Sequence, residues 1–152
     1  MFALPPLAGR RSALALACAL ALSLPGAPTA TGFTAIYSNQ NAFAALKADG
    51  SIVSWGAASQ GGTGAPTGTG YTQITSNREA YAALKYDGSI EAWGDSKFGG
   101  INEPTGSGYT KIYATQLAFA ALKADGSITA WGNTSVGGAN APTGSGYTKI
   151  YT

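Results

Sequence analysis

One feature constrains this chain more than any other: it repeats itself. Ala42–Gly56 (AFAALKADGSIVSWG), Ala80–Gly94 (AYAALKYDGSIEAWG) and Ala118–Gly132 (AFAALKADGSITAWG) are near copies, and Trp55, Trp93 and Trp131 stand 38 residues apart with no gap. A fixed period between about 20 and 50 residues marks units too small to bury their apolar faces alone, so that each unit completes its neighbour's core. Repeats run over 31–68, 69–106 and 107–144, and 145–152 begins a fourth.

Within one unit, the residue pattern predicts three strands. Gly70-Tyr71-Thr72-Gln73-Ile74-Thr75 alternates and is rich in β-branched and aromatic residues. After the polar loop Ser76–Glu79, Ala80–Tyr86 reads as a second strand with Ala80, Ala82 and Leu84 on one face and Tyr81, Ala83 and Lys85 on the other. Asp87-Gly88 predicts a hairpin, read here as a type I′ turn with both central residues at positive φ. Ser89–Trp93 is the third strand, and Gly94–Thr105, carrying Gly99-Gly100 and Pro104, leads into the next copy. Both faces of these strands are apolar and many of the residues are alanine. A sheet with one wet face would show polar alternation, so the pattern predicts sheets packed face to face.

Composition narrows the function. Of the nine Lys/Arg, Arg10 and Arg11 lie in the first 30 residues; from Thr31 onward seven basic residues balance seven acidic ones. A nucleic-acid partner is not expected, because phosphate binding needs a basic surface. The chain has no His, and its single Cys is Cys18. That removes Ser-His-Asp and Cys-His catalysis and His- or Cys-ligated metal sites. Residues 1–30 read as a secretory signal: Arg10-Arg11, the apolar run Ala13–Leu24, then Pro25-Gly26 and a small residue at Ala30. The expectation is a secreted or cell-surface protein whose mature part has no thiol and no disulfide.

The run Leu122-Lys123-Ala124-Asp125-Gly126-Ser127-Ile128-Thr129-Ala130-Trp131-Gly132, followed by Gly137-Gly138 and Pro142, resembles the repeat of the regulator-of-chromosome-condensation superfamily. It is most similar to the shorter repeats of the β-lactamase-inhibitor-protein-II type. The resemblance covers Thr31–Thr152 and implies three tandem three-stranded antiparallel blades of a partial β-propeller, in a superfamily whose members usually carry six or seven. The chain departs from the family pattern where a His often precedes the second strand; here Asn41, Glu79 and Leu117 stand. Propellers close with roughly four to eight blades. Three blades therefore belong to a longer array, to a ring completed by self-association in which Gly146–Thr152 pairs into the next chain's first blade, or to a pseudo-three-fold β-prism or β-trefoil.

Comparing the copies separates frame from candidate site. The Ile52, Ile90 and Ile128 positions, the Trp-Gly pairs and the Asp-Gly turns do not vary, which suits packing and turns; Lys47, Lys85 and Lys123 read as solvated hairpin ends. Variation gathers in two loop sets. One is Asn39-Gln40-Asn41, Asn77-Arg78-Glu79 and Thr115-Gln116-Leu117; the other is Ala57–Gln60, Asp95–Phe98 and Asn133–Val136. Loops held on one rim of a rigid scaffold are where binding sits. Candidate binding residues are Arg78, Glu79, Lys97 and Phe98, since Arg and exposed aromatics dominate interface energetics, together with Asn39 and Gln116. The superfamily resemblance implies protein–protein recognition through these loops. A lectin stacking sugars on Tyr71, Tyr109 and Phe98, or a structural surface or matrix repeat, are the alternatives. Glu79, Glu91, Asp95 and Glu103 are the carboxylates a glycosidase would need, but they read as surface acids, and neither catalysis nor a cofactor is expected. Asn133-Thr134-Ser135 is a glycosylation sequon, meaningful only in a eukaryotic secretory pathway.

Overall fold

The computed structural model describes residues 32–152; the export signal expected over 1–30 lies outside them. Each repeat forms one three-stranded antiparallel sheet, or blade, with its strands in sequence order. Blade 1 is β1 (Phe33–Ser38), β2 (Ala42–Lys47) and β3 (Ile52–Gly56). Blade 2 is β4 (Tyr71–Ser76), β5 (Ala80–Lys85) and β6 (Ile90–Gly94), and blade 3 is β7 (Tyr109–Ala114), β8 (Ala118–Lys123) and β9 (Ile128–Gly132). A short 3-10 turn follows each blade, at Ala58–Gln60, Ser96–Phe98 and Thr134–Val136. The all-β architecture of tandem blades is thus the one expected.

Two local details differ from the sequence reading. The Asp-Gly turns are not type I′. Gly50, Gly88 and Gly126 take φ of +77°, +79° and +82°, but among the described residues the only non-glycine residues at positive φ are Asn102 and Asn140. Gly88 N–H donates to the Lys85 carbonyl and Lys85 N–H to Ser89 O, closing a three-residue loop in which only the glycine is left-handed. The aspartate decides this: Asp87 Oδ1 accepts from both the backbone N–H (2.9 Å) and the hydroxyl (2.7 Å) of Ser89, which holds it in the right-handed region. Alternation in the first strand is also interrupted. The register shifts between Tyr71 and Gln73, and the same break recurs in blades 1 and 3. The intervening Thr72, like Thr34 and Thr110, donates its hydroxyl to a carbonyl of the second strand. This bulge re-aims the strand so that Tyr71 and Ile74, three apart in sequence, both enter the same core.

The core is a pair of seams between successive blades. At the first, Ala42, Ala44, Leu46 and Ile52 on the back of blade 1 meet Tyr71, Ile74, Tyr81, Ala83 and Trp93 on the front of blade 2. At the second, Ala80, Ala82, Leu84 and Ile90 meet Tyr109, Ile112, Phe119, Ala121 and Trp131. Alanine on the back and aromatics on the front are complementary: the small side chains let the sheets approach while the rings fill the gap. Within each front face the rings stack across β2–β3-type pairs, with centroids 5.1 Å apart for Tyr81–Trp93 and 5.2 Å for Phe119–Trp131. Such stacking is worth about 0.5–1.5 kcal/mol beyond the area buried. Most polar atoms find partners across the seams, the buried Tyr71 hydroxyl excepted. Trp93 Nε1 donates to Gly61 O and Trp131 Nε1 to Gly99 O, both at 3.1 Å. Tyr81 donates its hydroxyl to Ala42 O at 2.6 Å, and burial pushes its phenol pKa up to about 12.

The pseudo-three-fold alternative needs a third seam closing blade 3 onto blade 1. Instead, the front of blade 1 stays open. Trp55 is 45% exposed where Trp93 and Trp131 are 4%, and Phe33, Ile36 and Phe43 are exposed beside it. The array is an open run of blades. Tyr147–Thr152 begins like a fourth blade, since Gly146 and Tyr147 donate to Asp125 O and Gly126 O as Gly70 and Tyr71 do to Asp49 O and Gly50 O, but beyond that the segment joins no sheet.

Candidate functional site

Antiparallel pairing puts the end of β1, the start of β2 and the end of β3 at one edge of the blade, with Ala42 opposite Gly56. Both variable loop sets therefore emerge on the same rim, once per blade. Asparagine ties them together. Asn77 Oδ1 accepts from Glu79 N–H (3.1 Å) and Ala80 N–H (2.9 Å), while its Nδ2 donates to Phe98 O in the second loop (2.6 Å). Asn39 repeats all of this with Asn41, Ala42 and Gln60 O. In blade 3 the position is Thr115, whose hydroxyl makes only two 3.4 Å contacts and does not reach the second loop.

Adjacent rim loops are joined across the blades by their backbones. Gln40 N–H donates to Arg78 O (3.2 Å), and Arg78 N–H donates to Gln116 O (3.1 Å). Side chains follow: Arg78 Nε reaches Gln40 Oε1 at 3.1 Å and Glu79 Oε1 at 3.3 Å, and Ser76 Oγ donates to Ser38 O. The three loops thus line one shallow groove of about 800 Å³, walled by Asn39, Gln40, Asn77, Arg78, Thr115 and Gln116. An Arg half exposed among amides is a hydrogen-bonding surface of mixed donors and acceptors with little net charge.

Of the sequence candidates, Asn39, Arg78 and Gln116 are brought together in this groove, and Glu79 stands beside it as the partner of Arg78. Lys97 and Phe98 lie on the 3-10 turn and are not part of its wall. Lys97 is exposed; its backbone N–H is capped by Asp95 Oδ1 at 2.7 Å. Phe98 is half-buried against the second seam rather than presented to a partner. Gln40, Asn77 and Thr115 also wall the groove, and their signal was the 38-residue register itself, which places them beside the chosen three.

Three other readings change. Tyr71 and Tyr109, named as sugar platforms, are 3% and 5% exposed inside the seams and offer no ring face to a ligand. The hairpin lysines are not simply solvated: Lys85 and Lys123 sit 5.0 and 4.9 Å from the ring centres of Tyr71 and Tyr109. That is cation–π distance, and burial of the Lys stem covers the edge of the seam. Three of the four carboxylates are individually engaged, Glu79 with Arg78, Glu91 with Lys85 and Asp95 as a turn cap. Among the described residues no group of three or more His, Cys, Asp or Glu could hold a metal.

No protein-family model matches the chain, and no curated protein matches it. Solved structures do. Human WBSCR16 is 15% identical, with a TM-score of 0.52 over 70% of this chain and 34% of that one. Prp20p of Saccharomyces cerevisiae, whose structure is described with its binding to Gsp1p and histones, is 16% identical, with a TM-score of 0.53 over 70% and 32%. The chain spans about a third of the length of these structures. At such identities the likeness speaks for the fold alone: a run of stacked three-stranded antiparallel blades of a partial β-propeller.

Proposed function

We propose that this chain is a non-catalytic protein-binding module whose contact surface is the rim groove, and that it works outside the cell after export by the signal over residues 1–30. The observation that carries this reading is the contrast between an invariant frame and a variable groove. Turns, seams and Trp-Gly pairs repeat from blade to blade, whereas the converging rim positions change at single blades: Asn39 and Asn77 give way to Thr115, and Arg78 stands between Gln40 and Gln116. A protein partner fits better than a sugar, because the rim presents an exposed Arg and several amides while the tyrosines that would stack a sugar are buried. Protein binding by Prp20p is consistent with a propeller in this role. Balanced charge from Thr31 onward disfavours nucleic acid.

The test is a photo-crosslinking residue placed at Gln116, followed by identification of the captured protein and measurement of its affinity. The reading predicts saturable binding that Arg78→Ala weakens about tenfold or more without changing the far-ultraviolet spectrum. Binding unaffected by Arg78→Ala and Gln116→Ala together, or specific hits on a glycan array, refutes it.

A further inference from the structure

The two ends of the array are the two halves of a seam. Blade 1 presents Phe33, Ile36, Phe43 and Trp55, the counterparts of Tyr71, Ile74, Tyr81 and Trp93, with Phe43 and Trp55 already stacked at 5.4 Å. Blade 3 carries Ala118, Ala120, Leu122 and Ile128, the counterparts of Ala80, Ala82, Leu84 and Ile90; Ala118 and Leu122 are buried, while Ala120 and Ile128 are half-buried beside the chain's own Tyr147–Thr152 segment. Both sets match, position for position, the faces that meet inside the chain.

The acceptor for the missing indole is also present. Gly61 and Gly99 each lie against the next blade's rings, so that an added Cβ would fall 2.7 Å from Tyr81 or 2.8 Å from Phe119, and their carbonyls accept from Trp93 and Trp131. Gly137 is the third member of this series. It has the same left-handed backbone, φ +105°, yet among the described residues nothing stands within 4 Å of its Cβ position. Beside it opens a cavity of about 390 Å³ lined by Ala120, Ile128, Ala130 and Gly137 on one side and Tyr147 and Ile150 on the other. This is where the aromatic pair of a following blade belongs. Trp55 Nε1, in turn, has no acceptor among the described residues.

We infer that a second copy of this chain docks head to tail, its Phe43–Trp55 pair entering the cavity beside Gly137 and its Trp55 Nε1 donating to Gly137 O. Joined at both ends, two copies give six blades, within the range at which propellers close. The rim ladder continues through the joint, as Gln116 N–H takes the carbonyl of the second copy's Gln40, just as Arg78 N–H takes that of Gln116. One inner-strand slot exists at each joint. Tyr147–Thr152 (YTKIYT) and the second copy's Phe33–Ser38 (FTAIYS) carry the same face, so either strand fills it. The interface is not self-complementary about a single patch; front meets back, and the ring closes because both joints are alike. This joint is independent of what the rim binds.

Sedimentation velocity on the full chain tests it. The expected species has twice the chain's mass, and Trp55→Ala and Ala120→Arg each raise the dissociation constant by about 30-fold or more, as loss of a central Trp anchor does. Both positions face the open ends, so each variant keeps its β spectrum as a monomer; if one fails to fold, the other still decides. A monomer up to about 100 μM, a dimer indifferent to both substitutions, or an open polymer that lengthens with concentration overturns the proposal.

Discussion

Replacing Asn77 by Ala isolates the rim from the seams. Its side chain is buried and makes three hydrogen bonds, two received from backbone N–H groups and one donated to Phe98 O. Each bond contributes about 1 kcal/mol net, and the Ala80 N–H it satisfies is itself buried, so its loss carries a desolvation cost as well. The expected destabilisation is about 3 kcal/mol. With an m-value of about 1.5 kcal/mol/M, urea midpoints fall by about 2 M with m unchanged. Blade 3 supplies the converse experiment: Thr115 holds its loop through two 3.4 Å contacts, so Thr115→Asn should rebuild the staple to its own second loop and stabilise by about 1 kcal/mol. If Asn77→Ala falls within about 0.5 kcal/mol of the parent, the asparagine is not what joins the two loop sets, and the rim is not a prepared surface.

Further outcomes follow from the same geometry. Trp131→Ala removes a buried ring and orphans Gly99 O; it should cost about 3–5 kcal/mol by chemical denaturation. Arg78→Ala and Gln116→Ala, on the exposed rim, should each leave stability within about 0.5 kcal/mol while acting on binding. Asp49, Asp87 and Asp125 are held below the ordinary carboxylate pKa, chiefly by the hydroxyl and N–H of the following serines. Their unfolded forms bind protons first, so the stability they contribute is present above the unfolded value of about 3.9 and is lost as pH falls through the lower folded values. Thermal midpoints should therefore drop on acidification below about pH 4, and the triple Asp→Asn variant should show a flatter acid limb.

Much of this fold is written in the repeat. Strand positions, the blade unit and the alternation of alanine and aromatic faces can be read because three copies average out local noise, and because apolar residues on both faces admit few arrangements other than stacked sheets. Turn geometry was less legible. Asp-Gly alone suggests a two-residue loop, and only Ser51, Ser89 and Ser127, two residues after each Asp, reveal the wider turn. The bulge at Thr34, Thr72 and Thr110 is likewise hidden, since a strand rich in threonine looks regular until its hydroxyls find a carbonyl. For the candidate site, the variable loops could be placed on one rim, but which of their residues line the groove could not be read. Tyr71 and Phe98 look like surface aromatics by their polar neighbours, yet they pack into seams that only the stacking of successive blades creates.

The seams themselves are most directly tested by hydrogen exchange of the three indole N–H groups, followed by NMR in the Ala120→Arg chain. Two signals, from Trp93 and Trp131, should be strongly protected by their bonds to Gly61 and Gly99, and Trp55 should exchange fast; in the parent chain, joined head to tail, all three should be protected. Three indoles exchanging equally fast in both chains would mean that the blades do not close on one another through their tryptophans.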